Sequence, residues 1–340
     1  MMNHSPLSSR PRVLVTGASG PAGSSLLTQL GERGIPVLGV DMAPRPRPDG
    51  LRILQGPPAT APDFVSALAA ICEEYSIDLL IPTVDEELSV LAPLRTALLH
   101  RARIAVAPTA AVAIAADKWL THRVAESSGL AVPRSLEAPT LTEEGAYWLG
   151  FPYVVRPRVA RGGRGVRLET TFPPAMPLRD TEMVSAFLPG TEYCAQLYLP
   201  AAGSSPRDGA VNGAGGDVIS GARDGARDGA RYGARRRPTV VVLEKTSLAS
   251  GQHGNATGVR RVNAPDVAEL ALAAAQAVGL SGAADVDIRR DTHGRPALIE
   301  INARFGAHSA HAPELLDALL EAYAPAEPAS APRSTVEVRA

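Results

Sequence analysis

Residues 283–304, AADVDIRRDTHGRPALIEINAR, alternate apolar and polar side chains on both sides of a DTHG turn. That pattern reads as a β-hairpin, two strands joined at Gly294. Side chains two apart in a strand share a face. Glu300, Asn302 and Arg304 therefore project together, while Ile299, Ile301 and Ala303 face the other way. In an antiparallel pair Asp287 of the first strand lies near Glu300 and Asn302 of the second. Such a polar face either meets water or builds a site. Two carboxylates and an amide oxygen on one face suit an oxygen-liganded Mg²⁺ that also takes phosphate oxygens.

The first third of the chain has a different rhythm. RVLVT at 12–16 runs into GASGPAG and then the helical spacing of Leu26, Leu27 and Leu30, stopped at Gly34. IPVLGVD follows as a second strand ending at Asp41, then a helix over 62–75, then IDLLIPTVDEE as a third strand running into an acidic turn. RIAVAPT at 103–109 reads as the last strand of this unit. Strands alternating with helices imply a parallel sheet covered on both faces. One helix is expected within 111–135, stopping at Gly129 before Pro133. FPYVVRP is a strand, RVARGGRGVRLE a Gly-rich loop leading to another, and TVVVLEKTSL resumes core pattern before a helix over 265–278. Between them, 201–237 carries the tandem GARDGARDGARYGARRR, too polar and Gly-rich to pack, so a mobile loop is expected. The Pro- and Ala-rich residues 324–340 read as a frayed, disordered tail.

A chain of 340 residues, 45% apolar, can bury the core of two or three packed units. Thirty-four basic residues balance 35 acidic ones, so overall charge points to no nucleic acid and no membrane surface. A small-molecule partner is the default. Cys72 and Cys194 fit neither a disulfide framework nor a zinc site, and the absence of an apolar leader or span points to the cytoplasm. Only two basic residues are lysine, Lys118 and Lys245. In a chain that uses arginine wherever a cation serves, a retained ammonium suggests a point-charge contact with phosphate.

Gly17, Gly20 and Gly23 form a GxxGxxG turn between strand and helix, with Asp41 ending the next strand. This context suits a dinucleotide phosphate at a helix N-terminus and supports a rival reading, an NAD(P)-dependent oxidoreductase or epimerase of the short-chain type. That chemistry requires a Tyr-x-x-x-Lys pair. Ile114 and Val241 stand four residues before the two lysines, so the pair is missing. Arg156 on its strand and Gly162, Gly163 and Gly165 in the following loop suit polyphosphate instead. Together with Lys118, Lys245 and the hairpin acids they describe a nucleotide triphosphate held between cations, amides and metal.

Four stretches in order, ADKWLTHRVAESSGLAVP, FPYVVRPRVARGGRGV, SAFLPGTEY and DVDIRRDTHGRPALIEINAR, resemble the ATP-grasp ligases. Within them they resemble single-unit relatives of the carbamoyl-phosphate synthetase large subunit. The resemblance implies an α/β fold: a Rossmann-like N-terminal, pre-ATP-grasp domain over 12–112, followed by an ATP-grasp domain of two α+β subdomains, 113–184 and 185–323. It implies that Lys118 and Arg156 hold the ATP phosphates and that the loop 161–165 closes over them. Ser185, Ala186, Phe187 and Leu188 would hold adenine, and Glu192 the ribose hydroxyls. Lys245 would be a further phosphate cation, Asp287, Glu300 and Asn302 the metal ligands, and Arg304 the clamp on the transferred phosphoryl group. The cofactors implied are ATP and two Mg²⁺ ions, with Mn²⁺ able to substitute. The substrates implied are a small carboxylate and an amine, joined through an acyl phosphate. Relatives are often homodimers, although no stretch here marks an interface. A non-catalytic nucleotide-binding relative is the third reading. Arg156 stands where many members have Lys, and Ser185 where an acid is common. His253, His308 and His311 fall near the cleft segments as candidate proton acceptors.

Overall fold

The computed structural model describes residues 10–96, 102–160, 162–201, 237–249 and 256–323. Arg161, most of the GARD-repeat stretch, His253 and the 324–340 tail lie outside them. The strands are β1 (Val13–Thr16), β2 (Val37–Asp41), β3 (Ile53–Gln55), β4 (Leu79–Ile81), β5 (Arg103–Ile104), β6 (Ser135–Glu137), β7 (Tyr153–Pro157), β8 (Arg167–Glu169), β9 (Glu182–Ala186), β10 (Glu192–Leu199), β11 (Thr239–Leu248), β12 (Ala256–Arg261), β13 (Gly282–Arg290) and β14 (Pro296–Asn302). The helices are α1 (Pro21–Glu32), α2 (Phe64–Glu74), α3 (Asp85–Leu91), α4 (Thr109–Ala116), α5 (Lys118–Ser127), α6 (Glu143–Leu149), α7 (Pro265–Ala277) and α8 (Glu314–Tyr323).

Three sheets result. The first is parallel, in the order β3-β2-β1-β4-β5. Both its faces are buried, because Val13 and Val15 pack with Leu26, Leu27 and Leu30 of α1 while Leu14 packs with Phe64 and Leu68 of α2. The second is antiparallel, β6-β9-β7-β8, with its own small core of Tyr153, Val155, Val184, Ala146 and Leu149. The third, β12-β11-β10-β13-β14, is also antiparallel. On one face Tyr193, Ala195, Leu197, Val286, Ile288 and Ile301 meet Val267, Ala271 and Ala274 of α7. On the opposite face Cys194, Tyr198, Val241 and Leu243 meet Leu315, Leu316 and Leu319 of α8, and the part of that face left uncovered carries charge.

Five expectations need correction. The single helix within 111–135 is two, α4 and α5, because Asp117 adopts an extended backbone and caps α5, its carboxylate accepting from the amides of Trp119 and Leu120. The break makes Lys118 the first residue of α5. The acidic turn after β4 is the helix α3, with Asp85, Glu86 and Glu87 in its first turn, where the helix dipole favours them. The last parallel strand spans only Arg103–Ile104, not 103–109, and a short strand, β3, stands at the sheet edge where none was expected. Finally, strict alternation along β14 fails. The ladder pairs Asp287 with Glu300 but Ile288 with Leu298, so Ile299 is a bulged residue. Its side chain lines the cleft beside Glu300 instead of facing the core.

Candidate functional site

A cleft of about 550 Å³ lies where the three sheets meet. Its walls include Gly17 and Gly20 from the α1 turn, Thr83 to Asp85, Lys118, Arg156, Gly162 and Gly163, Ser185 to Leu188, Glu192, Lys245, and the polar face of β13 and β14. Every nucleotide, metal and phosphate candidate from the resemblance except Gly165 is in that lining, and Gly165 sits in the same loop with φ +74°, a conformation suited to glycine. Register explains the convergence. Glu192, Cys194 and Gln196 of β10 pair with Arg289, Asp287 and Asp285 of β13, and Asp285 and Asp287 pair in turn with Asn302 and Glu300. All these side chains therefore belong to the face opposite α7.

The two lysines divide the acids between them. Lys118 Nζ lies 3.2 Å from Glu300 Oε2 and donates to the Ala160 carbonyl at 2.5 Å. Lys245 Nζ reaches Glu192 at 2.6 Å and Asp287 at 2.8 Å. Burial works against the Lys245 charge, but Asp287 and Glu192 more than offset it and hold its pKa well above the ordinary lysine value. Asp287 is pushed up to about 8 by burial, against the pull of Lys245, with Asp285 and Glu300 adding like charge. Glu300 moves the other way: burial raises its pKa, yet Lys118 and Arg156 outweigh that and lower it. One acid of the cross-strand pair is thus strongly ionised and its neighbour is reluctant.

Arg156 is 5% exposed and held from behind. Its Nη2 lies 3.1 Å from both the Ile299 carbonyl and His122 Nε2. Burial lowers its pKa, with Glu300, Asp287 and Glu192 opposing. Arg304 directs its fork at Asp85, Nε to Oδ1 at 3.0 Å and Nη2 to Oδ2 at 3.1 Å. Its Nη2 also lies 3.2 Å from Asn302 Oδ1. The arginine of the third sheet is therefore aimed by an acid on the first turn of α3. Arg289 lies 5.0 Å from the Phe187 ring and 3.3 Å from Glu192, while the Ala186 amide donates to the Arg134 carbonyl at 2.8 Å. His308 lines the cleft and burial lowers its pKa; His311 lies behind it, the ring centroids 6.4 Å apart.

Sequence reasoning missed several members. Asp285 accepts from Gln196 Nε2 at 2.6 Å, and burial raises its pKa. A Cβ at Gly306 would overlap both side chains, so glycine is required where the chain turns past them. Asp285 was readable, since it stands two residues before Asp287 on one strand. Asp85 and Gln196 carried no local signal, because their partners are 219 and 89 residues away, and His122 meets Ser135, Arg156 and Ile299 at separations of 13, 34 and 177. The Gly17 turn opens into the cleft, but Asp41 is engaged by the turn itself, accepting from the amides of Ser19 and Ala43 at 2.9 Å each.

The donor set fits a hard divalent cation only in part. Among the described residues no cluster of three His, Cys, Asp or Glu side chains forms a complete metal cage. Asp287 and Glu300 offer two carboxylates with Asn302 Oδ1 on the adjacent position of the same face. This composition matches Mg²⁺, which is commonly bound by one or two carboxylates and completed by substrate phosphates and water.

A parallel sheet followed by two antiparallel sheets with a charged cleft between them is the ATP-grasp architecture, and the chain shares that fold with solved ATP-grasp enzymes over about nine-tenths of its length. Biotin carboxylase from Campylobacter jejuni superposes with a TM-score of 0.63 at 14% identity, covering 94% of this chain and 73% of that one. An L-amino acid ligase from Bacillus licheniformis gives 0.60 at 15% identity, covering 89% and 69%. N5-carboxyaminoimidazole synthetase from Staphylococcus aureus, complexed with ADP, gives 0.62 at 14% identity, covering 96% and 81%. No family model matches the sequence, and no curated protein does. Among the described residues no helix is long and apolar enough to cross a membrane.

Proposed function

We propose that this chain is an ATP-dependent carboxylate–amine ligase that forms an acyl phosphate and releases ADP and phosphate. The observation that carries the reading is the interleaving of charge in one cleft. Lys118 contacts Glu300, Lys245 contacts Asp287, and Arg156 lies buried beside them. Three cations next to two oxygen-donor acids suit a polyphosphate with its metal better than they suit a neutral or dinucleotide ligand. A bound Mg²⁺ supplies charge neutralisation on the phosphates, and Asp287, Glu300 and Asn302 are the residues that would hold it.

The chain's own groups then have these roles. Lys118, Arg156 and the loop containing Gly162, Gly163 and Gly165 bind the phosphates. Phe187 and Leu188 flank the base, and Glu192 takes the ribose hydroxyls once Lys245 turns to phosphate. The substrate carboxylate oxygen attacks the γ-phosphorus, the bond to the β-phosphate oxygen breaks, and ADP leaves with that electron pair. Arg304 lies against the transferred group. The amine next attacks the acyl carbon and phosphate departs. The amine proton passes to a base, for which His308, kept neutral by burial, is placed in the wall. Catalysis by positioning and charge requires no side-chain nucleophile, and burial keeps both cysteines protonated.

The test is ADP and phosphate release with ATP and Mg²⁺ across a panel of amino acids and small carboxylic acids, beside Glu300→Ala. Release that needs one acid, and that falls by about hundredfold or more in the variant, supports the reading. NAD(P)H binding with no ATP binding would overturn it in favour of an oxidoreductase.

A further inference from the structure

His122 is buried, has been given no ligand-binding role, and lies on α5 one turn beyond Lys118. Its Nδ1 is 3.0 Å from Ser135 Oγ, and its Nε2 is 3.0 Å from the Ile299 carbonyl and 3.1 Å from Arg156 Nη2. Ser135 Oγ lies 2.8 Å from the Pro133 carbonyl, which can only accept.

These contacts admit two arrangements of protons. In the first, the Ser135 hydroxyl donates to Pro133, His122 Nδ1–H donates to Ser135 Oγ, and the bare Nε2 accepts from Arg156. Arg156 Nη2 then shares its two protons between Nε2 and the Ile299 carbonyl, separating two acceptors that would otherwise repel. In the second, Nε2 carries the proton and donates to Ile299, and Ser135 turns to donate to Nδ1. That leaves the Pro133 carbonyl without this donor and sets an N–H against the guanidinium. The first arrangement contains a charge-assisted hydrogen bond and no donor–donor contact. The charge of Arg156 also disfavours a second proton on the ring, in the same direction as burial.

We infer that His122 is a positioning residue that holds Arg156, as the neutral Nδ1–H tautomer, in the orientation that binds the nucleotide phosphates. The inference rests on the ligase reading for what Arg156 binds. Nη2 is committed to His122 and Ile299, while the buried Nε has no hydrogen-bond partner among the described residues, so the fork is held through one nitrogen. The same short stretch anchors the other end of the phosphate site. Asp117 caps α5 and takes the Arg158 guanidinium at 2.6 Å, and the Lys118 amide donates to the Arg158 carbonyl. One helix start therefore sets Lys118, while His122 sets Arg156 from the next turn.

The experiment combines a double-mutant cycle with tautomer spectroscopy. ATP affinity in the presence of Mg²⁺ is measured for the wild type, His122→Leu, Arg156→Ala and the double variant. His122→Leu is expected to weaken ATP about tenfold and to have no further effect in the Arg156→Ala background. His122→Gln, whose amide oxygen can reach the Nε2 position, is expected to recover most of the loss. An equal loss in both backgrounds would overturn the inference, as would unchanged ATP affinity in a folded His122→Leu protein. In wild-type protein, ¹⁵N-histidine NMR should show His122 protonated on Nδ1, and a proton on Nε2 would also overturn it. Failure of the wild type to bind ATP would instead refute the ligase reading and leave the tautomer result to stand by itself.

Discussion

The first and third sheets both open onto the cleft, but they contribute different things. The parallel sheet is covered on both faces, so its strands are almost wholly apolar and its polar contributions come from strand ends: the Gly17 turn, Thr83 and Asp85. The antiparallel sheet is covered by α7 on one face and by α8 over only part of the other, where Glu192, Gln196, Lys245, Asp285, Asp287, Glu300 and Asn302 stand in register. A sheet with two buried faces can place function only at its edges and ends. A sheet with one face only partly covered can array it across several strands.

Substituting within the array tests that division most severely. Asp287→Asn keeps size and hydrogen bonding but removes a carboxylate whose charged form is opposed by burial and by Asp285 and Glu300. ATP turnover should fall by about hundredfold or more. Thermal stability should hold or rise, because a buried like charge has been neutralised. A large loss of stability alongside the loss of turnover would mean that the acid is structural, and the contrast between the two sheets would fail.

The link between the sheets should give a smaller effect. Asp85 stands at the start of α3 and holds the Arg304 fork from the other region. Asp85→Asn keeps one acceptor and loses the charge, so turnover with saturating ATP should drop about tenfold while ATP affinity changes little. Steady-state kinetics in both substrates checks this, and a change confined to the KM for ATP would place Arg304 in nucleotide binding instead.

The same contrast explains what could be read from sequence. The alternation in β13 and β14, the Gly-rich loop after β7 and the scarcity of lysine each mark the site within a few residues. The strand-helix alternation marks the parallel sheet, although its short strands β3 and β5 were missed or overdrawn because two or three residues give too little pattern. Asp117 was absorbed into one long helix, since its capping role depends on an extended backbone that the apolar spacing does not reveal. The bulge at Ile299 hid in an unbroken alternation. Asp85 and Gln196 matter through partners far along the chain, and His122 through contacts between separate elements, and no local pattern encodes such pairings.

The smallest expected effect lies inside the parallel sheet, where the contrast predicts that a buried charge serves no site. Glu87 of α3 is 8% exposed and hydrogen-bonded to Thr16 Oγ. Burial pushes its pKa from 4.5 up to about 7, against the lowering effect of Thr16. A carboxyl raised in the folded state gives stability that is fully present below 4.5 and is lost as pH rises through about 7. At about 1.4 kcal/mol per pH unit, that window corresponds to roughly 3 kcal/mol at most. Glu87→Gln cannot ionise and can still pair with the Thr16 hydroxyl. Near pH 4.5 it should match the wild type, and above pH 8 it should melt a few degrees higher, with ATP turnover unchanged at both. Melting curves across that range check the sign. A variant that instead loses ATP turnover would show that the interior of the parallel sheet reaches the chemistry after all, and the division between the two sheets would have to be redrawn at α3.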